Sequence, residues 1–261
     1  MGPQIFLFVL ATLFLSSHAQ NNAVANPILQ LRPLSGAGGH HIKGVNCQSW
    51  RLAVETNNLQ GWTLVPQSCE SYVGHYMLGH QYRLDCEAVA DAAIEYAKTV
   101  KPAADGKDVW VFDIDETTLS NLPYYARSDV EFGAIAYNDT KFNEWVAEGK
   151  APPVPAILNL YLEVQSLGFK TVFLSGTAAK FTGVRIANLH ESGYHEWEKL
   201  ILKGDDQHGK TAVQYKSDKR TDLVKQGYRI VGNVGDQWSD LIGTNVGSRT
   251  FKVPDPMYYI A

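Results

Sequence analysis

The sequence of 261 residues contains only three cysteines and three methionines, and charge of one sign never forms a long run. The formal net charge is −4. Because Lys and Arg are not concentrated anywhere, the composition argues against a dedicated binder of nucleic acid or of a membrane surface. With 45% hydrophobic and 19% charged residues, the chain has the composition of an ordinary globular protein. Its length allows one sizeable core with a small accessory element.

The N-terminal residues 1–19 lack Asp, Glu, Lys and Arg, and Ile5 to Leu15 is almost wholly apolar. This block is short for a membrane span, which needs roughly twenty apolar residues. Ser17-His18-Ala19 places small residues at the two positions that a signal peptidase inspects. We therefore interpret residues 1–19 as a secretory signal peptide, with an uncleaved anchor as the alternative. After cleavage, this predicts a vacuolar or extracellular protein without a membrane attachment.

Export predicts an oxidising environment, in which the three cysteines allow three single disulfide pairings. We favour Cys47–Cys69, because both residues lie in polar, turn-rich surroundings. Cys86 falls within a predicted helix, 83–100, where a buried thiol behaves as a small hydrophobe. The bridge would contribute about 3 kcal/mol in the chain-entropy model. The sequon Asn138-Asp139-Thr140 predicts a glycoprotein.

The chain divides by pattern into an N-terminal part, residues 20–105, and a C-terminal core, residues 106–261. The first part contains a loose arm and then a helical extension in which apolar residues recur at helical spacing. In the second part strands alternate with helices, which predicts an α/β fold with a Rossmann-like, mainly parallel sheet covered on both faces. The predicted strands are 109–112, 170–174, 200–202, 229–234 and 250–253, and the predicted helices include 154–167 and 178–191.

The segment from about 119 to 153 interrupts this alternation and is rich in aromatic residues. It is longer than most connections between a strand and a helix. Its position directly after the first strand predicts a small helical cap over a site. A surface excursion whose aromatic residues pack on the domain is the alternative.

Polar residues gather at three predicted strand ends. The sequence Asp113-Ile114-Asp115-Glu116-Thr117 follows the first strand, Ser175-Gly176-Thr177 the second, and Gly235-Asp236 a later one. Asp240 comes one helical turn after Asp236, and Lys216 precedes the later strand. Since ligands of open α/β sheets bind beyond the carboxyl ends of the strands, we expect these side chains to surround one pocket.

These residue types meet the demands of a phosphate monoester, whose phosphorus must be attacked and whose leaving group must be protonated. Asp113 can attack as a carboxylate nucleophile, and Asp115 can transfer the proton. Asp236 can meet Asp113 at a hard cation, for which oxygen ligands and retained waters favour Mg²⁺.

The charge of the phosphate also requires neutralisation. Ser175 and the backbone N–H of Gly176, at a predicted helix start, can hold phosphate oxygens. Lys216 adds a compact positive charge beside the nucleophile.

The order Asp-x-Asp-x-Thr, Ser, Lys and Gly-Asp-x-x-x-Asp resembles the haloacid dehalogenase superfamily. Within it, 47–51, 215–217 and 232–238 are similar to the plant acid phosphatase and vegetative storage protein family. The resemblance covers most of the mature chain. It implies a Mg²⁺-dependent acid phosphatase that acts on phosphate monoesters through an aspartyl phosphate, and it suggests a homodimer. A vegetative storage protein with weak or vestigial activity is the alternative.

The resemblance also implies a role for each matching residue. Asp113 is the expected nucleophile and metal ligand, and Asp115 the general acid and then base, with its backbone carbonyl on the metal. Thr117 is expected to position Asp115. Asp236 is the third protein ligand, and Asp240 is either a ligand or a carboxylate behind the ligands.

Ser175 is expected to bind phosphate, and Lys216 to orient Asp113. The chain departs from the family at Thr177, where relatives often have an arginine. A basic side chain at that position could grip the substrate or tie the cap, so the departure leaves substrate affinity and range open.

Simpler interpretations compete for several of these residues. Asp113 and Ser175 could be helix caps, and Asp240 a surface carboxylate. Lys216 could belong to a solvated basic face with Arg220, which could itself touch the site. Trp238 could line the pocket or pack in the core.

Overall fold

The computed structural model describes residues 46–207 and 209–261. In this part of the chain, one sheet contains five strands, whose order is β3-β2-β1-β4-β5. All neighbouring strands are parallel. The strands are β1 (Asp108–Phe112), β2 (Lys170–Ala178), β3 (Lys199–Lys203), β4 (Arg229–Gly235) and β5 (Arg249–Lys252). The chain runs from β1 outward to β3 and then returns to the other side of β1, so the direction of winding reverses between β1 and β4. This reversal is where open parallel sheets bind ligands.

Helices cover both faces of the sheet, which confirms the predicted fold class. The α-helices of the described residues are α1 (Cys47–Glu55), α2 (Glu70–Leu78), α3 (His80–Thr99), α4 (Leu122–Tyr125), α5 (Asp139–Glu148), α6 (Pro155–Ser166), α7 (Thr182–Glu191), α8 (Ala212–Lys225) and α9 (Trp238–Leu241). Short 3₁₀ turns occupy Gln67–Cys69, Glu131–Gly133, Ala179–Phe181 and Asp205–Gln207. None of the helices in the described ranges is long and apolar enough to cross a bilayer.

The alternation of side chains along β1 divides the core into two layers. Trp110 and Phe112 are buried in the larger cluster, which also contains the apolar faces of α3 and α6. Val109 and Val111 point to the opposite face, where Tyr215 of α8 packs. Because every residue of β1 is buried, the strand is apolar on both faces, as expected for the centre of a parallel sheet.

The N-terminal extension is helical, as predicted, and a disulfide between Cys47 and Cys69 links α1 to the start of α2. Cys86 is a free, buried thiol on α3, so both cysteine predictions are confirmed. Residues Ala93 and Ala97 of α3 belong to the same buried cluster as the sheet. The predicted signal peptide and most of the predicted arm lie outside the described residues.

One predicted boundary is wrong in a way that affects the site. The second strand continues to Ala178 rather than ending at Leu174, because its pairing with β3 shifts register and resumes at Ala178. Ser175 and Gly176 are therefore strand residues, and α7 begins only at Thr182 after a 3₁₀ turn.

Candidate active site

The loop after β1 is a tight turn that directs two carboxylates to different partners. The backbone N–H groups of Thr118 and Leu119 both donate to the carbonyl of Ile114, at 2.9 and 2.8 Å. Glu116 adopts a left-handed backbone with φ of 56°, which is uncommon for a non-glycine residue. The backbone N–H of Asp113 still donates to Val234 of β4, at 2.9 Å, so the first carboxylate remains tied to the sheet.

Three carboxylates and one lysine form a buried cluster between the ends of β1 and β4. Oxygen atoms of Asp113, Asp236 and Asp240 all lie within 4.8 Å of one another. The Lys216 ammonium, on the second turn of α8, donates to Asp113 Oδ1 at 2.6 Å and also to Asp240. These four side chains, distant in sequence, therefore lie together, and Lys216 is buried rather than part of a solvated basic face.

The electrostatics of this cluster fit a divalent cation. Three carboxylates and one ammonium carry a net charge of −2 when all are ionised, and hard carboxylate oxygens are the ligands that Mg²⁺ and Ca²⁺ prefer. Burial raises the pKa of Asp113 well above its ordinary value, although Lys216 opposes this. Burial also raises the pKa of Asp236 to about 6. Burial lowers the pKa of Lys216, but the attraction of Asp113 and Asp240 outweighs it and raises the pKa.

Asp240 is held in place by the start of α9. Its Oδ2 accepts from the backbone N–H of Gln237 at 3.0 Å. Gly235 allows this close approach, because a Cβ there would lie 2.4 Å from the Cβ of Asp240. The buried guanidinium of Arg220 donates to the Asp240 carbonyl at 2.6 Å. Asp240 is therefore not a surface carboxylate. Arg220 supports the site by holding the backbone of Asp240 and does not contact the carboxylate oxygens.

Thr117 has a different partner from the one predicted. Its hydroxyl donates to Asp236 Oδ1 at 3.0 Å and not to Asp115, because the left-handed turn at Glu116 directs the two side chains apart. Trp238 donates to the backbone of Glu55 in α1 at 3.0 Å, so it joins the core to the helical extension.

The Asp115 carboxylate lies outside the metal-type cluster and is surrounded by hydrogen-bond donors. Its Oδ2 accepts from Thr177 Oγ1 at 2.8 Å and from Ser175 Oγ at 3.2 Å. Its Oδ1 accepts from Asn121 Nδ2 at 3.0 Å and from the guanidinium of Arg185 on α7. Burial would raise the pKa of Asp115, but these donors, led by Arg185, lower it.

Ser175 and Gly176 contribute differently from what the sequence suggested. Ser175 is fully buried, and its hydroxyl also accepts from the backbone N–H of Thr177 at 3.0 Å. Gly176 is exposed, with open space where a Cβ would be. Because the pair lies inside β2, the N–H of Gly176 is not at a helix start, and the predicted helix-terminus contribution is wrong.

The inserted segment 119–153 packs on the domain and also reaches the site. Its two ends meet in a bridge between Leu119 and Pro153. Trp145 of α5 donates to Asn121 Oδ1 at 2.8 Å, and Asn121 in turn holds Asp115. The segment therefore packs on the domain and contacts the site through Asn121, and its role as a cap stays a prediction.

Comparison with known proteins identifies the family. The family model of HAD superfamily subfamily IIIB, described as acid phosphatase, matches residues 35–261. The chain belongs to this family. The family resemblance inferred from the motifs is therefore confirmed.

Named relatives of this acid phosphatase family include both enzymes and storage proteins. The chain is 50% identical to "Acid phosphatase 1" of Solanum lycopersicum, over 83% of this chain and 84% of that protein. It is 43% identical to "Stem 28 kDa glycoprotein" of Glycine max, over 100% of both chains. It is 36% identical to "Vegetative storage protein 1" of Arabidopsis thaliana, over 100% of this chain and 98% of that protein.

The fold also resembles a solved structure, the class C acid phosphatase from Bacillus anthracis. The TM-score is 0.59 at 20% identity, covering 82% of this chain and 87% of that one. At this identity the likeness concerns the fold alone.

Sequence reasoning missed three residues around Asp115 and Glu116 in this family member. Asn121 donates to both carboxylates, and Arg185 reaches Asp115 from α7. Tyr258 near the C-terminus donates to Glu116 Oε2 at 3.1 Å. Their positions depend on the tertiary path of the insertion and of α7, for which the sequence contains no local signal.

Proposed function

We propose that this chain hydrolyses phosphate monoesters at mildly acidic pH, through an aspartyl phosphate on Asp113. The observation that carries the proposal is the buried contact of 2.6 Å between Lys216 and Asp113, beside the carboxylates of Asp236 and Asp240. A buried lysine that neutralises one carboxylate among three supports anion binding at a site that would otherwise repel phosphate.

We further propose that Mg²⁺ is the cofactor, held by the side chains of Asp113 and Asp236 and by the backbone carbonyl of Asp115. Asp240 accepts a hydrogen bond from Lys216 and so helps to hold the lysine beside Asp113. Its role as a direct metal ligand stays a prediction. When bound, the ion would neutralise phosphate oxygens and help to orient the phosphoryl group for in-line attack. The charge of the carboxylate cluster supports this assignment.

The proposed reaction has two steps, the formation and then the hydrolysis of the aspartyl phosphate, and the side chains around the site serve one or both of them. Lys216 holds Asp113 Oδ1, so Oδ2 is the oxygen that we expect to attack phosphorus. The bond between phosphorus and the leaving oxygen breaks, and Asp115 gives its proton to that oxygen. Asp115 then takes a proton from the water that attacks phosphorus, the bond to Asp113 Oδ2 breaks, and phosphate is released. Ser175 lies beside Asp115, where its hydroxyl can bind a phosphoryl oxygen.

The surroundings of Asp115 support an acidic optimum. Arg185 and the neighbouring donors lower the pKa of Asp115. Its protonated form, which the proposed general acid requires, therefore becomes abundant only at acidic pH. A general acid with a lowered pKa works best at acidic pH, so we expect kcat to rise between neutral and acidic pH. A profile that falls over this interval would contradict the role of Asp115.

The test replaces the nucleophile and keeps its shape. We expect Asp113→Asn to abolish hydrolysis of an aryl phosphate while the circular dichroism spectrum stays unchanged. Asp91→Asn, an exposed position on α3, is the matched control and should keep full activity. Chelation with EDTA should stop the wild-type enzyme, and Mg²⁺ should restore it. Turnover by the Asp113→Asn variant at the wild-type rate would refute the nucleophile, and indifference to EDTA would refute the metal.

A storage role is the second candidate, because relatives at 36% and 39% identity are named vegetative storage proteins. The presence of Asp113 in a complete carboxylate and lysine cluster favours the enzyme. The turnover number with an aryl phosphate separates the two, since a storage protein needs little or none.

The relatives named stem glycoproteins support our proposal of a secreted or vacuolar glycoprotein. The sequon residue Asn138 is exposed at the start of α5, where a glycan could be attached. Phosphate monoesters are the proposed substrates, and a homodimer stays a prediction.

A further inference from the structure

The two oxygens of Asp115 meet different kinds of donor. Among the described residues, Oδ1 accepts only from nitrogen, namely Asn121 Nδ2 at 3.0 Å and the guanidinium of Arg185. Within the same part of the chain, Oδ2 accepts only from hydroxyls, namely Thr177 Oγ1 at 2.8 Å and Ser175 Oγ at 3.2 Å. This asymmetry matters if Asp115 transfers a proton, as the proposed function requires.

The donor types decide which oxygen can carry that proton. The guanidinium of Arg185 can only donate, and Asn121 presents its donor Nδ2 to Asp115, because its own Oδ1 accepts from Trp145. A proton on Oδ1 of Asp115 would therefore face two N–H groups and have no acceptor. A hydroxyl is both donor and acceptor. Thr177 and Ser175 can therefore turn and accept from a protonated Oδ2 without moving their heavy atoms. The protonated acid is compatible with its surroundings only when the proton is on Oδ2.

The Arg185 side chain is buried against Asp115 and Thr177 and is not exposed to solvent, as an arginine on a helix surface would be. Its side chain is only 1% exposed, although arginine is almost never buried without a partner. Its Nη2 also donates to Thr177 Oγ1 at 3.3 Å. Its Nε has no hydrogen-bond partner in the described part of the chain. A buried, unsatisfied donor is costly, so the position of this guanidinium is set by Asp115 and Thr177 and not by optimal packing.

We propose that Arg185 is a positioning residue that anchors Asp115 Oδ1, with help from Asn121, so that Oδ2 is presented as the proton-carrying oxygen. The inference rests on the proposed phosphatase activity. Relatives often have an arginine where this chain has Thr177. Arg185 places a guanidinium nitrogen 3.3 Å from the Thr177 hydroxyl and so brings a similar charge to the same place. The positive charge missing from the strand end is thus supplied by the following helix.

The experiment measures kcat/KM for phosphate esters whose leaving groups differ in basicity. General acid catalysis matters for an alkyl phosphate, whose alkoxide must be protonated, and little for 2,4-dinitrophenyl phosphate, whose phenolate leaves unaided. If Arg185 acts through Asp115, we expect Arg185→Thr to lower kcat/KM by about 10- to 100-fold for the alkyl ester, a part of the ~10²–10⁴ attributed to general acids. The loss for the dinitrophenyl ester should be below about threefold on the same argument.

Matched variants separate positioning from general structure. Arg83→Thr, at an exposed position on α3, makes the same replacement away from the site and should change neither ester. In an Asp115→Asn background, Arg185→Thr should cause no further loss that depends on the leaving group, because the two residues act as one unit.

Several outcomes would overturn the proposal. Equal losses for both esters, with weaker inhibition by inorganic phosphate, would mean that Arg185 grips the phosphoryl group and does not act through Asp115. Additive losses in the Asp115→Asn background would also overturn it. If Arg185→Thr does not fold, Arg185→Met replaces it, because methionine fills the buried site without a donor. Losses in that variant that are equal for the two esters would refute the assignment.

The experiments distinguish a failure of the proposed phosphatase activity from a failure of the proposed role of Arg185. A wild-type protein without turnover, or an active Asp113→Asn variant, would overturn the phosphatase mechanism and the role of Arg185 with it. A normal wild type and an inactive Asp113→Asn, combined with an unchanged leaving-group dependence in Arg185→Thr, would overturn the role of Arg185 alone.

Discussion

Replacing Lys216 by methionine is the most informative perturbation of the carboxylate cluster. Methionine keeps most of the length of the lysine side chain and removes only its charge and donors. Lys216 is buried between Asp113 and Asp240, whose side chains are 8% and 2% exposed. In the variant, three buried carboxylates would face one another without a counter-charge, and the net charge of the cluster would fall from −2 to −3.

The magnitude follows from the burial of this group. Breaking a buried ion pair by removing one partner costs about 3–5 kcal/mol. For a chain of this size, each kcal/mol lowers Tm by about 2–4 °C, so the two ranges together predict a Tm about 6–20 °C lower without metal. The pKa of Asp113 is already raised by burial and would rise further once Lys216 is gone. A raised carboxyl pKa gives stability that is present at low pH and lost as the pH rises, so the deficit should be larger at pH 7 than at pH 5.

Thermal unfolding in EDTA and in Mg²⁺ measures both effects. If the cluster binds a divalent cation, Mg²⁺ should raise the Tm of both proteins. It should also narrow the gap between them, because it replaces part of the lost positive charge. Phosphatase activity should fall to near background even with Mg²⁺, since Asp113 Oδ1 has lost its partner. Lys225→Met, at an exposed position in the last turn of the same helix, is the control. A Lys216→Met protein that unfolds in EDTA at pH 7 at the same temperature as this control would refute the electrostatic reasoning.

Three further predictions concern the metal, a buried acid and the disulfide. Asp236→Asn should abolish the rise in Tm on adding Mg²⁺, measured by calorimetry, and an unchanged rise would exclude Asp236 as a ligand. Burial raises the pKa of Glu116 from 4.5 to about 8, so its contribution to stability is full below about pH 4.5 and is lost as the pH rises toward 8. Glu116→Gln should therefore flatten the dependence of Tm on pH in this window, and a curve parallel to the wild type would contradict it. Replacing Cys47 and Cys69 by serine should cost about 3 kcal/mol, seen as a lower urea midpoint, while activity at 25 °C stays close to normal; inactivity without loss of stability would be inconsistent with a purely structural bridge.

The fold could be predicted because its signals are local. The apolar run at 109–112 is bounded by polar residues, and the helix at 154–167 begins with prolines and has a clear apolar stripe. Both elements lie within one or two residues of their predicted ends. The error at Ser175 and Gly176 has a non-local cause, because β2 continues only where β3 offers a shifted register to pair with.

The residues of the site whose positions follow from the strand order alone could be predicted from the sequence. Parallel strands bring their carboxyl ends to one edge, so Asp113 and Asp236 had to meet once β1 and β4 were neighbours. The partner of Thr117 was not predictable, because it depends on the left-handed turn at Glu116. Arg185 was not predictable either, because an arginine on an amphipathic helix is ordinarily solvated.

The arrangement separates two electrostatic tasks that would otherwise conflict. In the proposed mechanism, the carboxylate of Asp113 must approach an anionic phosphoryl group, and the positive charges of Lys216 and of a bound cation would offset the repulsion between them. Asp115 must gain and lose a proton, which a divalent cation beside its side chain would prevent by holding it ionised. The turn between them directs the Asp115 side chain to Arg185 and three neutral donors, of which two are hydroxyls that can reverse their hydrogen bonds. In the proposed mechanism, the carboxylate that transfers the proton and the carboxylates that would bind the cation therefore have separate partners. Ile114, the residue between Asp113 and Asp115, turns the two side chains apart.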